Sequence, residues 1–474
     1  MITFLAGLMI LVLGAAVYSR VCERVFGPDD RETPAVRLSD GVDYVPMKKW
    51  KNCLIQLLNI AGTGPIFGPI QGILFGPVAF LTIPVGCVLG GAFHDYMSGM
   101  ISIRDDGAQM PSLIQKYLGK LTYIFYNLFV FLLLVLVGAV FIYTPGDLFV
   151  TQILKADSGM SNPVIWIVYG VIFIYYIIAM LFPVDKIIGR IYPVFGGILL
   201  LSALGVSAGI FIKGYPLDEI WEIGMRNVHP QGLHFIPVFF VTVACGIVSG
   251  FHATQSTLIS RTMRHEKEGR MTFYNMMVIE GFIAMVWAAA AMGAMNLGLA
   301  DASTSTTGMV GIVANHLLGR IGGIVAVVGI IVLPITTGDT ALRSLRLMAA
   351  DALHIDQSER PKRLLTALVI FILVAALLIF SKMNADGFQV LWRYFAWANQ
   401  VIAVFTFAMI AVYMEKKQKP YVMSLLPGMF YMFVVSSFIL NAQIGFGLPW
   451  TASYILAGTL SLLYAAAIMH LGKE

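Results

Sequence analysis

Apolar runs of roughly twenty residues recur from one end of this chain to the other, and they restrict it to a polytopic α-helical membrane protein. Of its 474 residues, 58% are hydrophobic and 12% charged. A soluble chain would carry about twice that share of charges. An outer-membrane β-barrel would instead show short alternating segments. The runs predict thirteen spans, at 2–18, 53–75, 78–101, 121–143, 164–182, 189–212, 236–259, 272–297, 319–341, 364–381, 389–412, 421–440 and 451–471. The segment 302–317 is too short and polar to cross, and is expected as a re-entrant or surface helix.

Charge orients the spans. With the N-terminus outside and the C-terminus in the cytoplasm, most of the 31 Lys and Arg residues fall on the cytoplasmic side. The exceptions are Lys155, Lys213, Arg226, Arg320, Lys382 and Arg393. The net charge of +5 therefore reflects topology, not nucleic-acid binding. MITFLAGLMILVLGAAVYSR has no positive charge ahead of its apolar stretch and no small-x-small cleavage site, so it reads as a retained first span. Cys22, Cys53, Cys87 and Cys245 form no C-x-x-C pair, which predicts neither a disulfide framework nor a zinc site. The longest loop, 19–52, is charged and has room for a short interfacial helix but no soluble domain.

Two spans carry sequence that resists helix. NIAGTGPIFGPIQG at 59–72 holds four glycines and two prolines, among them Gly62, Gly64, Pro65 and Pro69. ACGIVSGFHATQSTL at 244–258 brings Gly246 and Gly250 together ahead of a polar run. A kinked, glycine-packed helix would account for one such span. Two, five spans apart and so running in opposite directions, point to a secondary transporter built from inverted repeats with its site at the midplane. The division expected is 1–52, a first repeat 53–212, an inverted second repeat 236–412, and two C-terminal spans in 421–474. Each break would expose N–H groups that attract an anion and C=O groups that hold a cation.

Charged groups at membrane depth are costly, on the order of 2.5–3.5 kcal/mol on insertion scales, and are functional candidates by default. In LPITTGDTALRSLR at 333–346, Thr336, Thr337 and Thr340 offer hydroxyl oxygens and Asp339 a carboxylate, suited to a sodium ion or a proton. Asp339 paired with Arg343 one turn on is the plainer alternative. His94 and Asp95 read as a proton relay, half of a gate, or an interfacial hydrogen-bonded pair. His252 reads as a substrate contact or a packed donor, and Glu280 as a second proton site. His252 and Gln255 would reach the far end of a longer substrate. Asn59, Gln71, Asn399 and Gln400 read as interhelical glue. No His/Cys/Glu metal spacing supports an embedded enzyme, so no metal site is expected and a bound sodium is the only cofactor-like species allowed. A channel and a transport-like sensor remain as alternatives.

NIAGTGPIFGPIQG, GGAFHDYMSGMISIRDDG at 90–107, CGIVSGFHATQSTL at 245–258 and PITTGDTALRSLRLMAADAL at 334–353 together resemble the carbon starvation protein CstA family. The four blocks, in order, cover roughly 50–355; many family members are much longer, and the last hundred or so residues give no clear match. The resemblance implies a LeuT-like five-plus-five inverted repeat of the amino acid–polyamine–organocation superfamily. It also implies import of peptides or pyruvate across a bacterial inner membrane, by a symporter. By that analogy Gly62, Thr63, Gly64, Ser249, Gly250 and His252 meet the substrate, and Thr336 and Thr337 face the broken 53–75 span as a sodium or proton site.

Overall fold

The computed structural model describes residues 1–41, 43–181, 185–224, 228–355, 360–384 and 386–473; Arg226 and the last residue of the predicted 164–182 span lie outside them. Among the described residues every regular element is helical. Among the described residues eight helices are long and apolar enough to cross a membrane: Ile2–Phe26, Met110–Ile153, Glu266–Asn296, Thr306–Ala350, Pro361–Met383, Gly387–Lys416, Val422–Asn441 and Trp450–Lys473. The pair Lys49–Ile60 and Gly64–Phe75, bent by 47°, makes a ninth if counted as one span. The other predicted spans fall on helices that are shorter or interrupted. Pro163–Ala179 and Gly196–Ile212 are apolar but short. Ala79–Gly86 joins Ala92–Arg104 through a wide turn at Cys87–Gly91. The 236–259 segment is in pieces.

The expected 302–317 helix is present, beginning at Thr306, and its chain turns at Gly319 before running on to Ala352. Gly319 has φ 71° and ψ 178°; Gly119, with φ 86° and ψ 173°, turns the Met110–Leu148 helix in the same way. A Cβ would meet nothing at either position, so it is the positive φ that calls for glycine.

Close contacts group the chain into two compact units. The first holds Met1–Phe129, Leu217–Ala289 and Ala396–Glu474. In it Gly64 and Gly68 allow two segments of the chain to touch: a Cβ on Gly64 would lie 2.2 Å from Cys245 Cβ, and one on Gly68 2.8 Å from the Thr242 carbonyl oxygen. The 27–47 segment is strapped to the ends of neighbouring helices. Thr33 Oγ1 donates to the Met263 carbonyl at 2.6 Å, the Met47 N–H to Thr262 at 2.9 Å, and Tyr44 Oη to Asp106 at 2.9 Å.

The second unit holds Val130–Pro216 and Ala290–Phe395. Tyr176, buried in this unit, donates toward the carbonyls of Phe141 at 3.0 Å and Pro334 at 3.3 Å.

Candidate transport site

Both interruptions lie in the first unit. The Lys49–Ile60 helix stops at Ala61 (φ −82°, ψ 57°) and helix resumes at Gly64. Pro65 sits in the first turn, where its missing N–H costs nothing. The Thr63 carbonyl accepts from Ile66 N–H at 3.1 Å and Phe67 N–H at 2.9 Å. Thr63 Oγ1, in a side chain only 1% exposed, makes no hydrogen bond. A hydroxyl sealed away without a partner costs roughly 1–3 kcal/mol, and here it stands at the N-terminus of a nine-residue helix, where an anion is favoured.

The second interruption is not at a glycine. Val248 (φ −152°, ψ 132°) and Ser249 (φ −138°, ψ 123°) are extended, and helix resumes at Gly250. β-Branched valine suits extended backbone, a signal that the Gly246/Gly250 spacing hid. Gly250 lies flat on the Ala396–Lys416 stretch: a Cβ there would fall 2.5 Å from the Asn399 carbonyl oxygen and from Ala403 N. Asn399 Oδ1 accepts from Ser249 Oγ at 3.0 Å and from Phe251 N–H at 2.9 Å, and Nδ2 points to Cys245 Sγ at 3.7 Å. One side chain thus bridges both ends of the break. Gln400 Nε2 donates to the Phe240 carbonyl at 2.6 Å. Both residues serve as the interhelical ties expected of them, and Asn399 additionally occupies the exposed helix N-terminus. Gln71 instead bonds within its own helix, to the Phe67 carbonyl at 3.3 Å.

Beyond the second break, residues from three elements meet. Asp95 Oδ1 lies 2.9 Å from His94 Nδ1, and Asp95 Oδ2 lies 3.2 Å from His252 Nδ1. On the opposite side of the same ring, His252 Nε2 lies 3.6 Å from Glu280 Oε2. None of the four residues is more than 1% exposed. Neither Glu280 oxygen makes a hydrogen bond, nor does His94 Nε2. The sequence singled out the His94–Asp95 pair, His252 and Glu280 separately, the pair as relay, gate or hydrogen-bonded partners, His252 as a substrate contact or packed donor, and Glu280 as a proton site; nothing in it indicated that one imidazole stands between two carboxylates. Gln255, 8% exposed, donates to Thr254 Oγ1 at 3.4 Å.

Thr336, Thr337 and Asp339 belong to the second unit. The two hydroxyls donate back to the Leu333 carbonyl at 2.9 Å and 3.0 Å, which leaves their lone pairs free to accept. Asp339 pairs with Arg343 at 3.5 Å, the one-turn pairing the sequence offered as the plainer alternative. All four cysteines are free and buried, and among the described residues no three His, Cys, Asp or Glu side chains are grouped to hold a metal ion.

The family model "Carbon starvation protein CstA" matches residues 1–210, 149–316 and 288–437. The chain belongs to that family. An uncharacterized membrane protein of Haemophilus influenzae is 41% identical over 60% of this chain and 89% of its own length. The peptide transporter CstA of Helicobacter pylori is 27% identical over 59% of this chain and 49% of its own. The pyruvate/proton symporter BtsT of Escherichia coli is 24% identical over 54% and 43%. The matches thus take in about half of each of those two transporters. A crystal structure of the Eremococcus coleocola manganese transporter aligns over 92% of this chain and 97% of its own, with a TM-score of 0.57 and 14% identity, a likeness of fold alone. The chain is therefore a multi-pass helical membrane protein of the CstA family whose fold resembles that of a transporter.

Proposed function

We propose that this CstA-family chain is a secondary active transporter that imports a small carboxylate-bearing nutrient, pyruvate or a short peptide, together with protons. One observation carries the choice of proton: the fully buried Asp95–His252–Glu280 cluster, three titratable groups set against the second interrupted helix. Histidine and carboxylates side by side can take up and release protons without ordering a shell of oxygens, as sodium would require. The names of the H. pylori and E. coli relatives support the substrate class.

The substrate carboxylate sits at the first interruption, where the unpartnered Thr63 hydroxyl and the start of the Gly64–Gly72 helix can receive it. The second interruption contributes less to anion binding, because Asn399 already fills its N–H end. Gly62, Ser249, Gly250 and Gln255 shape the path beside it. The fold is a LeuT-like pair of inverted repeats over 53–212 and 236–412, in thirteen crossings, with the N-terminus outside and the C-terminus in the cytoplasm of a bacterial cell. Three pairings support the repeat: the breaks ahead of Gly64 and Gly250, the positive-φ turns at Gly119 and Gly319, and the buried acids Asp95 and Glu280 at like distances after the two breaks. Alternating access comes from rocking the helices of 53–104 and 236–296 against the rest.

Purified protein in liposomes tests the reading. Labelled pyruvate and a labelled dipeptide are offered under an imposed proton gradient and, separately, a sodium gradient. Accumulation driven by protons is expected. Accumulation driven only by sodium would move the ion site to Thr336, Thr337 and Asp339, and saturable binding without flux would make the protein a sensor.

A further inference from the structure

Glu280 and Asp95 do not stand in the same relation to His252. Asp95 is engaged, at 3.2 Å from Nδ1, and is tied on its other oxygen to His94. Glu280 lies 3.6 Å from Nε2, just short of a hydrogen bond, and its two buried oxygens have no other hydrogen-bond partner. A carboxyl group sealed from water in that condition costs free energy, which a protein retains where another conformation satisfies the group.

From this asymmetry we infer that His252 is a proton relay between the two acids, engaged with Asp95 in the conformation seen here and with Glu280 in the alternate one. This rests on the proton-coupled reading above and assigns an order of transfer within it. The step balances without any other reactant. It starts with a proton on Asp95 Oδ2, neutral His252 carrying its own on Nε2, and Glu280 as the carboxylate. The Asp95 proton passes to Nδ1 and the Nε2 proton passes to Glu280 Oε2. Asp95 is left as carboxylate, Glu280 as the neutral acid, and His252 as the other neutral tautomer. One proton has crossed from the 92–104 helix to the 276–296 helix with no net charge on the ring.

The surroundings suit such a transfer. His94 backs Asp95 and packs against the Phe407 ring, with centroids 5.1 Å apart. The thiols of Cys87 and Cys245 lie within electrostatic range of Glu280, and that of Cys87 also of Asp95. Among the described residues neither acid pairs with a lysine or arginine that would fix its charge.

The test is proton movement counted per substrate molecule, read with a pH-sensitive dye in the same liposomes. In Glu280→Gln and in Asp95→Asn the number of protons per substrate is expected to fall toward zero. Counterflow exchange should fall far less than gradient-driven accumulation. Glu280→Asp, which keeps the titratable group, should restore part of the coupling and displace its pH profile. Unchanged proton movement in Glu280→Gln would overturn the relay. So would equal loss of counterflow and accumulation in a variant whose thermal unfolding matches the wild type. Failure of the wild type to accumulate substrate under a proton gradient would instead overturn the parent reading.

Discussion

Lys382 and Asp147 form a buried ion pair, with Nζ 2.9 Å from the carboxylate and neither side chain more than 6% exposed. Nζ also donates to the Ser158 carbonyl at 2.9 Å and lies 4.4 Å from the centre of the Tyr143 ring, while the Tyr169 hydroxyl donates to Asp147. Removing one partner of such a pair leaves the other buried and uncompensated, at a cost of about 3–5 kcal/mol. Lys382→Met and Asp147→Leu should each lower the unfolding temperature of the detergent-solubilised protein sharply. The double variant Lys382→Met, Asp147→Leu should recover most of the loss. Independent, additive losses would mean that the two residues do not act as a pair.

Asn399 holds the second interruption open. Its Oδ1 is the acceptor for both Ser249 Oγ and Phe251 N–H. Loss of a helix cap of this kind costs about 0.5–2 kcal/mol. Asn399→Ala should destabilise the protein by that amount and weaken transport, because the extended pair Val248–Ser249 loses its anchor. Asn399→Asp keeps the accepting oxygen and should be the milder change for stability. If Asn399→Ala unfolds and transports as the wild type does, the cap has no role in holding the break.

Much of this was legible in the sequence. The long apolar helices follow from hydropathy alone, and NIAGTGPIFGPIQG marks its own break through glycine and proline. What stayed hidden depends on pairs far apart along the chain. His252 announces itself as a histidine beside a polar run, but only folding sets Asp95 against one edge of its ring and Glu280 against the other. The second break falls on Val248 and Ser249, held by Asn399 from a distant helix, and not on the glycines that drew attention. Asp147 and Lys382 lie in different helices at the ends of apolar runs, where each alone passes for an ordinary boundary charge. Span counting also met a limit: the 78–101 and 236–259 segments are apolar, but their helices are interrupted, so composition and uninterrupted length disagree there.

Glu219, in the segment that follows Gly196–Ile212, caps the first helix. It accepts from Ile2 N–H at 2.7 Å, Thr3 N–H at 2.8 Å and Thr3 Oγ1 at 2.5 Å, and from the amine of Met1. Burial pushes its pKa up, but these donors outweigh burial and bring it down to about 2. A carboxyl lowered from its usual value near 4.3 contributes stability that is complete above that value. The contribution is lost as pH falls through the folded pKa. Between about pH 4.5 and 2 the wild type should therefore lose stability faster than Glu219→Gln, with the two curves converging toward pH 2. Parallel thermal-unfolding curves over that window would show that Glu219 contributes nothing pH-dependent.

The strap formed by 27–47 should open when its charged anchor is cut. Arg104 Nη2 donates to Glu266 Oε2 at 2.8 Å and to the Gly27 carbonyl at 3.0 Å, and Glu266 also accepts the Asp29 N–H at 3.0 Å. Glu266 is fully buried, so it cannot turn to water if Arg104 is removed. Arg31 and Arg37 lie within the strap and are half-exposed, which makes them natural sites for trypsin once the segment lifts. Local opening governs such cleavage, and each ~1.4 kcal/mol of lost anchoring multiplies the open population about tenfold. Arg104→Gln should raise the rate of cutting after Arg31 and Arg37 at least tenfold, as read by mass spectrometry of the fragments. Tyr44→Phe, which removes only the 2.9 Å bond to the Asp106 carbonyl, should raise it several-fold. A cleavage rate in Arg104→Gln equal to that of the wild type would mean that the strap is held by its bonds to the Thr262 and Met263 carbonyls, from Met47 N–H and Thr33 Oγ1, and that the ion pair is incidental to it.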